Sequence, residues 1–325
     1  MLRTRLTERF GIDHPIISAP MGFAGGGALA GAVSAAGGLG LIGGGYGDEA
    51  WLRTEFAAAG NQKVGCGFIT WSLARRPELL ELALEHAPRA MFLSFGDPAP
   101  FVAAIRAAGV PLIAQVQTLR DAAHVLDLGA EVVVAQGTEA GGHGERRSTF
   151  TLVPEVADLV AARAPDVLVV AAGGVGDGRG LAAALALGAD GVLVGTRLWA
   201  SAEAIAHPRL KAAAVTRSGD DTLRARVIDT VRGIEGWPER YSLRTLRSAT
   251  TDRWAGREAD LRAVAEAEAR AYGAAAEAGD PAVVSALVGE AIGLVHAVEP
   301  AGEIVTRMAA EAAAILRRAP GWVAG

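Results

Sequence analysis

Up to residue 194 the apolar positions fall into eight short runs: 15–19 (PIISA), 39–43 (LGLIG), 64–69 (VGCGFI), 91–95 (MFLSF), 112–116 (LIAQV), 131–135 (EVVVA), 167–171 (VLVVA) and 191–194 (GVLV). The runs are short, apolar and rich in β-branched residues, the pattern of parallel strands buried on both faces. Ala- and Leu-rich stretches with helical spacing separate them. Strand and helix repeated eight times predict an α/β fold, the (β/α)8 TIM barrel. A doubly wound open sheet is the rival, but it requires a switch point, and no long crossover falls where one is needed.

Beyond this repeat the chain changes character. Residues 220–257 are richer in Arg, Asp and Trp, and from 258 onward Ala and Glu dominate. The pattern predicts helices over 258–278, 283–298 and 302–318, with Gly279-Asp280-Pro281 as a break and no further strand repeat. The expected division is a barrel over 1–205 and a mainly helical substrate or cap region over 206–325, packed on the barrel. The charged side of the Ala/Glu-rich helix reads as a solvated face.

Composition narrows the classes of function. The 325 residues, 51% hydrophobic and 21% charged, suffice for a large core and its polar cover. With a formal charge of −5 and no basic cluster interleaved with aromatics, nucleic acid is not an expected partner. Cys66 is the single cysteine, so neither an internal disulfide nor a multi-cysteine metal site is expected, and no metal-spaced cluster of His, Asp and Glu appears. No secretory apolar core precedes residue 15 and no apolar run reaches the ~18 residues of a membrane span, which leads to the expectation of a cytoplasmic protein. A homo-oligomer is compatible with these features, which do not determine it.

Candidate chemistry sits at the carboxyl ends of the predicted strands. The seventh run leads into Gly173-Gly174-Val175-Gly176 and the eighth into Gly195-Thr196, the two places where barrels of this type hold a phosphate on backbone amides. Glycine lets the backbone approach closely and permits the positive φ that turns successive amides inward, and Thr196 adds a hydroxyl donor. Glycine also ends strands for turn geometry alone, but the coincidence of both loops favours a phosphate. After the first run, Pro20 fixes a turn, Met21 offers a polarizable contact and Gly22 an accessible amide, a surface for a flat ring; the same loop also fits a connector without ligand. His143, in QGTEAGGHGE, is the one histidine at the end of a strand. It lies close in sequence to Glu139 and Glu145, with Gly141-Gly142 leaving room for a ligand, and imidazole exchanges protons near neutral pH. Phe23, Trp71, Trp199 and Trp237 are candidate pocket walls.

Together these segments resemble the nitronate monooxygenases, formerly called 2-nitropropane dioxygenases, a family of FMN-dependent barrels. The resemblance covers roughly residues 10–200: APMG at 19–22, AGGLG at 36–40, AQGTEAGGHGE around His143, AAGGVGDGRG at 171–180 and LGADGVLVGTR at 187–197. It implies FMN contacts at Met21, Gly22, Gln136, Gly141, Gly173, Gly174, Leu193, Val194, Gly195 and Thr196, with the phosphate between the last two loops. It implies that His143 is the catalytic histidine, binding the nitronate and removing the α-proton of neutral nitroalkanes. The implied reaction oxidises a nitronate with O2 to a carbonyl compound and nitrite, without a nicotinamide cofactor.

Two departures bear on substrate identity. Gly67 stands where many relatives have asparagine, and Gly144-Glu145-Arg146-Arg147 follows the histidine where relatives often place arginine directly. The alternatives are an NAD(P)H-dependent flavin enoyl-thioester reductase on the same barrel, or a flavin- or phosphate-binding barrel without this turnover.

Overall fold

The computed structural model describes residues 2–322. All eight apolar runs are strands: β1 (Ile16–Ser18), β2 (Leu41–Gly43), β3 (Gly65–Ile69), β4 (Met91–Ser94), β5 (Leu112–Val116), β6 (Val132–Gln136), β8 (Leu168–Ala172) and β9 (Gly191–Val194). They pair in parallel in the order β1-β9-β8-β6-β5-β4-β3-β2, and a single parallel bridge from Ile17 to Leu39 joins the two ends of the sheet. With helices between the strands this is the expected TIM barrel.

Side-chain alternation explains why the runs are apolar throughout. Ile17, Leu41, Phe92, Ile113, Val132, Val134, Leu168 and Val170 fill the barrel interior. Their neighbours Ile16, Ile42, Met91, Leu93, Ala114, Val133, Val169 and Val192 face the surrounding helices. Both faces are covered, so apolar residues dominate and the few polar ones, Ser18, Ser94, Gln115 and Gln136, stand in the carboxyl-terminal halves of their strands; each fully buried Ile, Leu or Val contributes roughly 1.5–3 kcal/mol. The helix Arg5–Phe10 plugs the amino-terminal end, inserting Leu6 and Phe10 into the interior cluster, while Arg5 holds Asp190 at 2.8 Å. With that end closed, the opposite end is left for a ligand.

Beyond the barrel the structure departs from the predicted helices. β10 (Thr222–Ala225) and β11 (Ser242–Leu246) form an antiparallel pair, and β7 (Gly142–Gly144), in the loop after β6, adds to β11 as a third strand. Residues 258–278 form two helices, Glu258–Ala263 and Ala265–Glu277, rather than one. The helix predicted over 283–298 does not form: that stretch is irregular, with one short 3-10 turn at Glu290–Leu294. Its conformation is set by tertiary contact, because the backbone at Gly289 presses on the loop of Glu139 and Gly141. The final helix, Ala301–Arg318, packs against the barrel helices Gly178–Ala186 and Gly27–Ala35. Gly178 permits this approach, since a Cβ there would lie 2.3 Å from that of Glu311. Within 206–322 it is therefore residues before this helix that reach the mouth of the barrel.

Candidate active site

The carboxyl ends of the strands surround a cavity of about 510 Å³, roofed by residues of 205–210, 232–237 and 272–291. Met21, Gly22, Gln136, Gly141, His143, Gly173, Gly174, Leu193, Gly195 and Thr196 all line it. Val194 is the exception among the expected FMN contacts. Strand alternation turns its side chain, opposite to that of Leu193, into the helix-facing core, and its carbonyl accepts the Ala19 N–H at 3.0 Å. Phe23, Trp199 and Trp237 line the cavity, but Trp71 does not; it stands behind the wall, packed on Tyr46 and Trp237.

The two glycine loops have the predicted geometry. Gly173 and Gly174 take φ of 97° and 75°, which side chains with a Cβ rarely adopt. The amides of Gly174, Val175, Gly195 and Thr196 donate to no acceptor among the described residues. The Thr196 hydroxyl oxygen accepts the Gly289 N–H at 2.8 Å, leaving its own hydrogen free to donate. At the end of β5 the buried Gln115 side chain has an Nε2 without a partner and borders the cavity. Gly67 has its own explanation: the Pro20 ring lies 2.5 Å from where a Cβ would stand, so no larger residue fits beside this β1 loop.

His143 does not end β6 but belongs to a separate strand, β7, paired with Leu243 of β11. Gly142 turns the chain into that strand with φ of 76°. The missing side chain of Gly141 accommodates protein backbone, since a Cβ would meet Val288 and Gly289 at 2.4 and 2.5 Å. Arg224 of β10 fastens the same loop by donating to the carbonyls of Thr138 and Ala140. The imidazole is only 8% exposed and its Nε2 lies 2.9 and 3.1 Å from the two carboxylate oxygens of Asp229. The Trp237 ring stacks on it with centroids 3.3 Å apart and planes 10° from parallel, and Phe95 meets it edge-on at 6.3 Å. Phe95 itself holds a left-handed φ of 60°, a strained conformation of a kind that clusters at functional sites.

The carboxylates near His143 in sequence do not reach it. Glu139 accepts from the backbone and hydroxyl of Thr149, and Glu145 faces Arg240 at 2.9 Å. Burial pulls the His143 pKa below its ordinary value, opposed by Asp229 and reinforced by the positive charges of Arg224 and Arg232. The imidazole is therefore neutral at pH 7 and fit to accept a proton. Burial also pushes the Tyr46 phenol, which accepts the Trp237 indole N–H at 3.1 Å, up to about 12.

Asp229 escaped the sequence reading because it lies in a short helix, Val227–Val231, with no motif around it. Gln115, inside an apolar run, carried a signal that went unused: a polar residue in a strand buried on both faces. Among the described residues no helix is long and apolar enough to cross a membrane.

Comparison with known proteins agrees with the geometry. The profile of the nitronate monooxygenase family matches residues 3–63 and 69–311. A nitronate monooxygenase of Neurospora crassa is 32% identical over 91% of this chain and 88% of its own length. The solved structure of FabK from Thermotoga maritima superposes with a TM-score of 0.83 at 30% identity, covering 99% of this chain and 100% of that one. A nitroalkane oxidase from Streptomyces ansochromogenes superposes with a TM-score of 0.79 at 25% identity, over 97% of this chain and 100% of that one. With the barrel, the glycine loops and a neutral histidine in one cavity, the chain belongs to the nitronate monooxygenase family of flavin oxidoreductases.

Proposed function

We propose that this enzyme uses FMN and O2 to oxidise alkyl nitronates, and nitroalkanes through them, to carbonyl compounds and nitrite. The observation that carries the reading is His143, walled by Trp237 and facing the cavity into which both glycine loops open. The residues present fit the cofactor. The unpaired amides of Gly174, Val175, Gly195 and Thr196, with the free hydroxyl hydrogen of Thr196, suit a phosphate. The orphaned Gln115 Nε2 suits a carbonyl or ring nitrogen of a flat heterocycle, and Met21 and Gly22 suit its face and edge.

When bound, FMN supplies the redox chemistry and the reaction with O2. The protein's own part is to hold the substrate and manage its proton. His143 accepts the α-proton of a neutral nitroalkane. Arg232, half-buried at the rim with its guanidinium 4.8 Å over the Phe23 ring, supplies positive charge where an anionic nitronate enters. Ala206, Leu210, Val284, Ala286 and Leu287 of the roof give the reacting carbon an apolar surrounding. The residues over 1–205 would carry the cofactor and those from 206 to the last helix the substrate entrance, and the partners would be small molecules, in a soluble cytoplasmic enzyme.

The likeness to FabK favours a second reading, an NAD(P)H-dependent flavin enoyl-thioester reductase. Anaerobic mixing with propionate 3-nitronate, followed by visible absorbance, separates the two. Bleaching by nitronate, persistence with NADPH and slowed bleaching in His143→Ala support the proposal. Bleaching by NADPH alone establishes the reductase, and protein that neither carries nor takes up flavin defeats both.

A further inference from the structure

Behind His143, outside the lining of the cavity, stands a buried acid whose side chain has a single side-chain hydrogen-bond partner among the described residues. Asp229 is 7% exposed, and among the described residues its carboxylate has one hydrogen-bond partner, the His143 Nε2, with both oxygens in range. A carboxylate only accepts, so the nitrogen between its oxygens carries the proton. The other ring nitrogen, Nδ1, has no hydrogen-bond partner among the described residues and is not among the buried polar atoms sealed from solvent, and the ring lines the cavity. Trp237 covers one face of the ring and Phe95 approaches edge-on, which leaves the imidazole little freedom to turn.

We propose that Asp229 is the positioning residue of His143: by accepting Nε2–H it selects the tautomer whose bare Nδ1 faces the substrate. The inference rests on the nitroalkane reading and assigns an atom to its proton step. The α-C–H bond of the nitroalkane breaks, the proton moves to the Nδ1 lone pair, and the electron pair of that bond passes onto the nitro group to give the nitronate. His143 becomes an imidazolium whose new charge faces the Asp229 carboxylate. No oxidant takes part in this step. The charged groups around the ring are Asp229 and Arg232 from one segment and Arg224 from β10; Trp237, Phe95 and the β11 partner Leu243 are uncharged. Asp229 is thus the one negative charge opposing two positive ones, and its loss has a definite sign.

The first test needs no turnover. In protein labelled with 15N-histidine, long-range 1H–15N correlations report the tautomer of each imidazole, and His143→Gln identifies the His143 signals. The expected result is an Nε2–H tautomer in the wild type at pH 7.5. An Nδ1–H tautomer there overturns the proposal whatever the variants do. Asp229→Asn, whose amide donates as well as accepts, is expected to populate the Nδ1–H form and to lower the titration midpoint of the ring, and Asp229→Glu to restore the wild-type tautomer.

Kinetics supply the second readout. With neutral nitroethane, which requires the base, Asp229→Asn is expected to lose about 10²–10⁴-fold in kcat/KM, the range of a misplaced general base. With preformed ethylnitronate, already deprotonated, it should lose less than tenfold. Equal losses on both substrates point to a merely structural role and overturn the proposal. If the wild type turns over neither nitro compound, the functional reading fails, and the tautomer measurement still decides the role of Asp229.

Discussion

Replacing Gly289 by alanine tests how the segment 283–298 holds the active-site loop. Gly289 has φ of −94°, an ordinary value, so any cost comes from contact and not from backbone strain. A Cβ there would stand 2.3 Å from the Glu139 carbonyl oxygen and 2.4 Å from the Gly141 nitrogen, and both are backbone atoms that cannot rotate away. Relief requires the two segments to separate, which weakens the bond from the Gly289 N–H to Thr196 Oγ1. Overpacking of this kind costs about 1–3 kcal/mol and a lost hydrogen bond about 1 more. With ~2.1 cal/mol/K of unfolding entropy per residue over 325 residues, each kcal/mol moves the melting point by about 1.5 °C, so a drop of about 3–6 °C is expected. Gly273→Ala is the control: it lies inside the helix Ala265–Glu277, and a Cβ there meets nothing within 4 Å. That variant should gain roughly 0.5–1 kcal/mol from helix propensity and melt about 1 °C higher. The assay is thermal unfolding by circular dichroism, paired with flavin affinity by fluorescence titration. A Gly289→Ala protein that melts within a degree of wild type with unchanged flavin affinity would refute the contact between 288–290 and the loop of His143.

Three other outcomes are expected. Because burial, Arg224 and Arg232 hold the His143 pKa below its ordinary ~6.5, kcat/KM for a neutral nitroalkane should be full above that value and lost as pH falls through the lowered midpoint; Arg232→Gln should move the midpoint up, and a downward move contradicts the charge assignment. Thr196→Val should weaken FMN binding about tenfold while leaving riboflavin, which lacks the phosphate, unchanged in equilibrium titration; equal losses would place the phosphate elsewhere. Trp237→Ala removes a ring stacked 3.3 Å from His143 and enlarges the cavity, so the ratio of kcat/KM for a bulky nitronate to that for ethylnitronate should rise about tenfold; an unchanged ratio would mean that Trp237 does not bound the substrate.

The barrel was legible because its code is local and repeated. Each strand is buried on both faces, so Val132–Gln136 or Leu168–Ala172 announces itself within five residues, and parallel pairing follows from the helices in between. The glycine loops were legible for the same reason: a positive φ at Gly173 and Gly174 demands glycine whatever surrounds them. Beyond the barrel, local propensity lost to packing. Residues 283–298 carry helical spacing, yet their backbone is pressed into the gap left by Gly141, and β10 and β11 exist as strands because each pairs with a distant segment.

The sequence by itself determined the eight-fold repeat and the family, and it singled out the glycine loops and His143, which the fold brings to one cavity. Only the tertiary structure decided how that histidine works: which nitrogen is engaged, which face is covered and which charges set its proton affinity. Its acid partner stands 86 residues further along the chain, and Trp237 and Arg224 are also beyond the barrel repeat. Contacts of that span leave no periodic trace in sequence, because each depends on one side chain meeting one other after the chain has closed.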